Sequence, residues 1–147
     1  MMIETWVIYW GLLALCCGYA LWRGRGDERV AAAVCLLASI ITHLIVSPRY
    51  SGFEKFEGGV LAVDAASFAA FTTVALTSSR FWPLWIAGLQ LTTLLAHMMR
   101  MLSSDLIPVA YAAAGRFWSY PILLILVVGT WRHRRRSHRE ARRAYPA

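Results

Sequence analysis

The sequence predicts an all-α integral membrane protein: a five-transmembrane-helix antiparallel bundle, N-terminus outside and C-terminus cytoplasmic. Three observations predict it. The apolar fraction is 59%, the apolar residues come in long blocks, and arginine is confined mainly to alternate connections. An average soluble domain is roughly 45–50% apolar. A chain of 147 residues with mean hydropathy +0.51 has too small an interior to bury the excess, so lipid is the expected solvent.

The apolar blocks give candidate spans at about 3–22, 30–46, 59–78, 81–102 and 106–131. Each is near the roughly 20 residues a spanning helix needs. The first block has neither a charged n-region nor an A-x-A-like cleavage site, so it is expected to be a retained span. RGRGDER (23–29) joins the first pair, and SPRYSGFEKFEGG (47–59) joins the second to the third. TSSR (77–80) and SSD (103–105) make the remaining turns. Connections this short imply antiparallel neighbours. In the fifth block, Pro108 suits a first helical turn, whereas Gly115-Arg116 interrupts the apolar run. A re-entrant piece over 106–115 followed by a shorter span is therefore an open alternative. Residues 1–131 form the expected membrane domain and 132–147 a basic cytoplasmic tail.

Orientation follows from charge. Arg23, Arg25, Arg29, Arg80 and the seven arginines of WRHRRRSHREARR (131–143) share one side, against Arg49, Lys55 and Arg100 on the other. Positive residues mark the cytoplasmic face. Trp22, Phe81, Trp82, Trp85 and Trp131 mark the same inner boundary, and Trp6, Tyr9, Trp10, Tyr50, Phe53 and Phe56 the outer one. Fourteen arginines against one lysine is the bias of a GC-rich bacterial genome, giving a bacterial inner membrane as the expected location. In the tail, Arg132, Arg134, Arg135, Arg136 and Arg139 are expected to meet anionic lipid headgroups. Nucleic acid is the disfavoured partner, because the tail is short and lacks interleaved aromatics for base stacking. A membrane-protein partner or a homo-oligomer is also compatible with the chain.

LLAHMMR (94–100) places ionisable groups inside an apolar block. Gln90, Thr93, His97 and Arg100 recur at helical spacing and share one face. Ser39, Thr42, His43 and Ser47 repeat the theme in the second span, Asp64 and Ser67 in the third, and Tyr111, Arg116 and Tyr120 in the fifth. Charged groups in hydrocarbon are costly, so they should face the bundle interior. Counting from the span ends puts His43, Asp64, His97, Arg100 and Arg116 in one slab near the outer leaflet. Small residues at Ala14/Gly18, Ala62/Ala66 and Ala65/Ala69 are spaced for close backbone approach.

Several uses of that slab stay open. The groups can satisfy one another as a structural network. They can form a proton relay or hold an anionic ligand or a quinone headgroup. His43 and His97, on helices running the same way, can ligate a b-type haem or a transition metal. An outer-leaflet enzyme would need an oxygen nucleophile such as Ser47 or Ser103, and no G-x-S-x-G, H-E-x-x-H or Gly-rich phosphate loop supports that. The leading expectation is a non-catalytic accessory, ligand-binding or transport module. Cys16, Cys17 and Cys35 lie in apolar runs without C-x-x-C spacing and read as packing residues. In size, span count and tryptophan content the chain resembles the tryptophan-rich sensory family. FWPLW (81–85) departs from that family's W-x-P-x-x-x-x-F pattern, so no site residue carries over.

Overall fold

The computed structural model describes the backbone of residues 2–46, 53–102 and 117–144, and the side chains of 7–45, 58–99 and 117–140. Among the described residues the chain is all-α, with five helices and no strand: α1 (Met2–Arg23), α2 (Gly26–Val46), α3 (Phe53–Thr77), α4 (Trp82–Leu102) and α5 (Ser119–Ala144). Two of them, over Gly26–Ile45 and Gly58–Thr77, are long and apolar enough to cross a membrane. Only 17% and 22% of their apolar windows is buried within the bundle, so most of that surface faces outward.

Three boundaries differ from the sequence expectation. Helix α2 begins at Gly26 rather than near 30, because Asp27 and Glu28 favour the positive end of a helix. Helix α3 begins at Phe53, so the second half of the 47–59 connection is helical. Helix α5 runs without a break from Ser119 through the basic tail to Ala144, where Arg, Glu and Ala are good helix formers. The expected start of the fifth span near 106, and the re-entrant alternative, lie outside the described residues.

The helices pack as a ring in chain order, α1 on α2, α2 on α3, α3 on α4 and α4 on α5, with α5 closing onto α1. Helix α5 also touches α2, and α3 touches both α2 and α4, which make no direct contact with each other among the described residues. Leu13, Cys17 and Ala20 of α1 meet Ala31 and Ala32 of α2, Phe71 and Ala75 of α3, Ile86 and Ala87 of α4, and Ile122, Leu123 and Leu126 of α5. The core thus sits toward the end that holds the α1–α2 and α3–α4 turns.

Close approach is made at other small residues than the spacing suggests. Ala14, Gly18, Ala62, Ala65, Ala66 and Ala69 are all exposed, and nothing lies within 4 Å of a Cβ added at Gly18. The buried small residues are instead Cys17, Ala20, Ala31, Ala32, Ala75 and Ala87. A stripe of small residues marks a face that permits contact, but register and rotation choose the face used. At Gly129 of α5 the Trp82 ring lies 3.1 Å from where a Cβ would be, so α5 and α4 touch through a backbone. At Gly24 an added Cβ would stand 2.3 Å from the Ala20 carbonyl oxygen and 2.6 Å from the Glu28 Cβ, so the α1–α2 turn requires glycine.

Candidate functional site

Asp64, Gln90 and His97 come together between α3 and α4. Gln90 and His97 are seven residues apart on α4, about 10 Å along its axis, and Asp64 reaches across from α3 to both. Gln90 Nε2 donates to Asp64 Oδ1 at 2.9 Å, and His97 Nε2 meets Asp64 Oδ2 at 2.8 Å. Both carboxylate oxygens are engaged, one by a neutral amide and one by an imidazole whose charge depends on its proton. Gln90 is buried, whereas the Asp64 and His97 side chains keep 17% and 16% of their exposure. Thr93, on the same α4 face, is buried and donates to its own Leu89 carbonyl at 3.3 Å. Ser67, one turn beyond Asp64, likewise bonds back to Val63 O at 2.8 Å. These hydroxyls satisfy themselves within their own helices and leave the acid–base chemistry to Asp64 and His97.

His43 belongs to a different neighbourhood. Its ring stands edge-on to Trp10 of α1, with centroids 5.7 Å apart. Next to it, the Tyr9 hydroxyl and Ser39 Oγ are 3.0 Å apart, and Tyr9 meets Tyr120 of α5 edge to face at 6.0 Å. His43 therefore joins an aromatic group built by α1, α2 and α5, while His97 joins α3 and α4. His43 is exposed, and its helix lies diagonally across the bundle from that of His97, with α3 in contact with both. Arg100 falls within α4, but its side chain lies outside the described residues, as do Arg116, Ser47, Ser103 and Tyr111. No group of three or more His, Cys, Asp or Glu suited to a metal ion occurs among the described residues.

The opposite end holds a second polar network. Glu28, fully buried, pairs through Oε1 with Arg80 Nη1 and accepts the Arg25 backbone N–H through Oε2 at 3.1 Å. That backbone bond is the reaching-back half of a helix capping box. Arg80 Nη2 lies 2.7 Å from His133 Nδ1 on α5. A guanidinium has no acceptor, so His133 Nδ1 accepts and the ring proton sits on Nε2 in this arrangement. Ser78 Oγ donates to Asp27 Oδ2 at 2.7 Å and accepts the Arg80 N–H at 3.3 Å. The network ties the start of α2, the α3–α4 turn and α5 together.

Sequence reasoning missed this network because it used Arg80 only as a positive-inside marker and RGRGDER only as a connection bearing further such markers. Glu28 stands three residues after Arg25, the capping-box spacing, but without the Ser or Thr that marks the motif in a sequence. No local pattern predicts His133, which is brought in by α5 packing alone. The remaining tail residues, Arg132, Arg135, Arg136 and Arg139, are exposed and Arg134 is half-buried.

No protein-family model matches the chain, and comparisons with curated proteins and with solved structures return no match.

Proposed function

We propose that the chain is a small five-span inner-membrane protein, N-terminus outside and C-terminus cytoplasmic, acting as a non-catalytic ligand-binding module. Its site is the Asp64–Gln90–His97 cluster in the outer half. The observation that carries this reading is the Asp64–His97 pair, partly accessible between α3, which is long and apolar enough to cross a membrane, and α4, which exposes Leu91, Leu95 and Met98. Ionisable groups are costly in hydrocarbon, so a pair kept there and still reachable is poised for binding or proton exchange. Exposed apolar side chains on every helix, such as Leu15, Leu44, Leu76, Leu95 and Leu124, support the membrane environment. Charge asymmetry supports the orientation, and the basic tail suits anionic headgroups as partner. Transport is less well supported, because below Gln90 the shared core toward the inner end is built of Phe71, Ala75, Ile86 and Ala87.

The ligand chemistry that suits an imidazole donor beside a carboxylate is a carbonyl or hydroxyl headgroup, of which a quinone is the membrane-soluble example. The test is thermal unfolding of the full chain in mild detergent with and without a short-chain quinone. The expected result is a rise in Tm for the wild type that is lost in Asp64→Asn and in His97→Gln. Identical melting with and without quinone in all three returns the cluster to a purely structural pair. Topology is checked separately: a C-terminal reporter fusion should be cytoplasmic and an N-terminal tag accessible from outside. A cytoplasmic N-terminus means the span count is wrong by one.

A further inference from the structure

Beyond Trp131, helix α5 continues as a cationic rod, and its two sides differ. His133 points to Arg80 and so fixes the rotation of the rod on the bundle. At about 100° per residue, Trp131, Arg135 and His138 fall nearly opposite His133, flanked by Arg134 and Arg139. These five residues line a shallow concavity of about 500 Å³. Glu140, the one acidic residue after Trp131, falls on the His133 side instead. Trp131 remains 46% exposed, and the Arg135 guanidinium lies 4.3 Å above its ring. That stack positions the guanidinium and leaves its edge donors free to meet an oxyanion.

We propose that this outward face of α5, formed by Trp131, Arg134, Arg135, His138 and Arg139, binds the phosphate headgroup of an anionic phospholipid in the cytoplasmic leaflet. The inference rests on the membrane reading above. Three features select a lipid headgroup as occupant. An interfacial tryptophan forms the base of the face, its cations point away from the bundle toward surrounding lipid, and no carboxylate lines it. It differs from general attraction of a basic tail to a charged surface in being confined to the residues that line the concavity. Arg132 and Arg136 carry the same charge and are exposed, but neither lines it.

Two variants that remove equal charge separate the cases: R135Q/R139Q on the face and R132Q/R136Q off it. All four side chains are exposed, so both variants should melt as the wild type does. The measurement is native mass spectrometry of the detergent-purified full chain, titrated with phosphatidylglycerol or phosphatidylcholine. Phosphatidylglycerol should be retained preferentially by the wild type and by R132Q/R136Q, and about tenfold more weakly by R135Q/R139Q. Equal losses in the two variants, or no preference for phosphatidylglycerol, overturn the site. So does an RNA oligonucleotide that displaces the lipid. Extraction of wild-type protein from membranes by alkaline carbonate overturns the membrane reading itself, a result distinct from the loss of lipid preference in an integral protein.

Discussion

The two ends of this bundle hold carboxylates in opposite circumstances. Toward the end that holds the α1–α2 and α3–α4 turns, Glu28 is fully buried, engaged by Arg80 and a backbone N–H, and linked through Arg80 to a third chain segment at His133. It lies one turn before Ala31 and Ala32 of the core. Toward the opposite end, Asp64 is partly exposed and engaged by Gln90 and His97, both on one helix. A permanently charged guanidinium makes the first network a clamp, since removing Arg80 strands the fully buried Glu28 carboxylate. An imidazole makes the second adjustable, because it can pass between charged and neutral forms. The Glu28 network is a structural tie and the Asp64 cluster is the proposed site, although the sequence draws the eye to the Asp64 cluster first.

Substitution should separate them most sharply at Arg80. Arg80→Ala strands the fully buried Glu28 carboxylate at the junction of α2, the α3–α4 turn and α5, and should cost about 3–5 kcal/mol. Its melting temperature in detergent should fall further than that of any Asp64-cluster variant. A loss no larger than that of Asp64→Ala would break the contrast between clamp and site.

Asp64→Ala comes next, at about 1–3 kcal/mol, because it leaves the neutral, buried Gln90 amide and the partly exposed His97 ring unpaired rather than a buried charge. A double-mutant cycle with His97→Ala should give a coupling of about 0.5–2 kcal/mol. Additive losses would show that the imidazole and the carboxylate act independently, and would remove the basis for a joint site.

The smallest expected effect is at Gly18, on the exposed α1 face beside Ala14. With open space around its Cβ, Gly18→Ala should leave the isolated chain unchanged or more stable by up to about 1 kcal/mol, from helix propensity alone. Unfolding and size-exclusion profiles measured together check this. A loss of an oligomeric species with unchanged unfolding would show that a second chain packs on that face.

Much of the architecture is legible in the order of residues, because helix length and turn position are local properties. The apolar blocks overlap all five helices, although α5 continues through the basic tail to Ala144, and RGRG and TSSR mark two turns where the structure has them. The spacing of Gln90, Thr93 and His97 sets one face of α4, and 3.6-residue periodicity makes that independent of the partner helix. Which residue that face meets is not local. That Asp64 lies opposite the turn between Gln90 and His97 depends on the register of α3 against α4. That His43 joins Trp10 rather than His97 depends on the ring order of the helices.

The sequence by itself therefore determined that this is a helical chain with apolar blocks, a positive end and a polar face on α4. Tertiary structure decided which polar groups became partners. It buried Glu28 and joined it to Arg80 and His133 across more than a hundred residues of chain, and it left the Ala14/Gly18 and Ala62/Ala66 stripes exposed. The physical reason is range. Hydropathy and helix periodicity act within a few turns, whereas the pairing of a buried charge depends on rotations and registers that only the packed bundle sets.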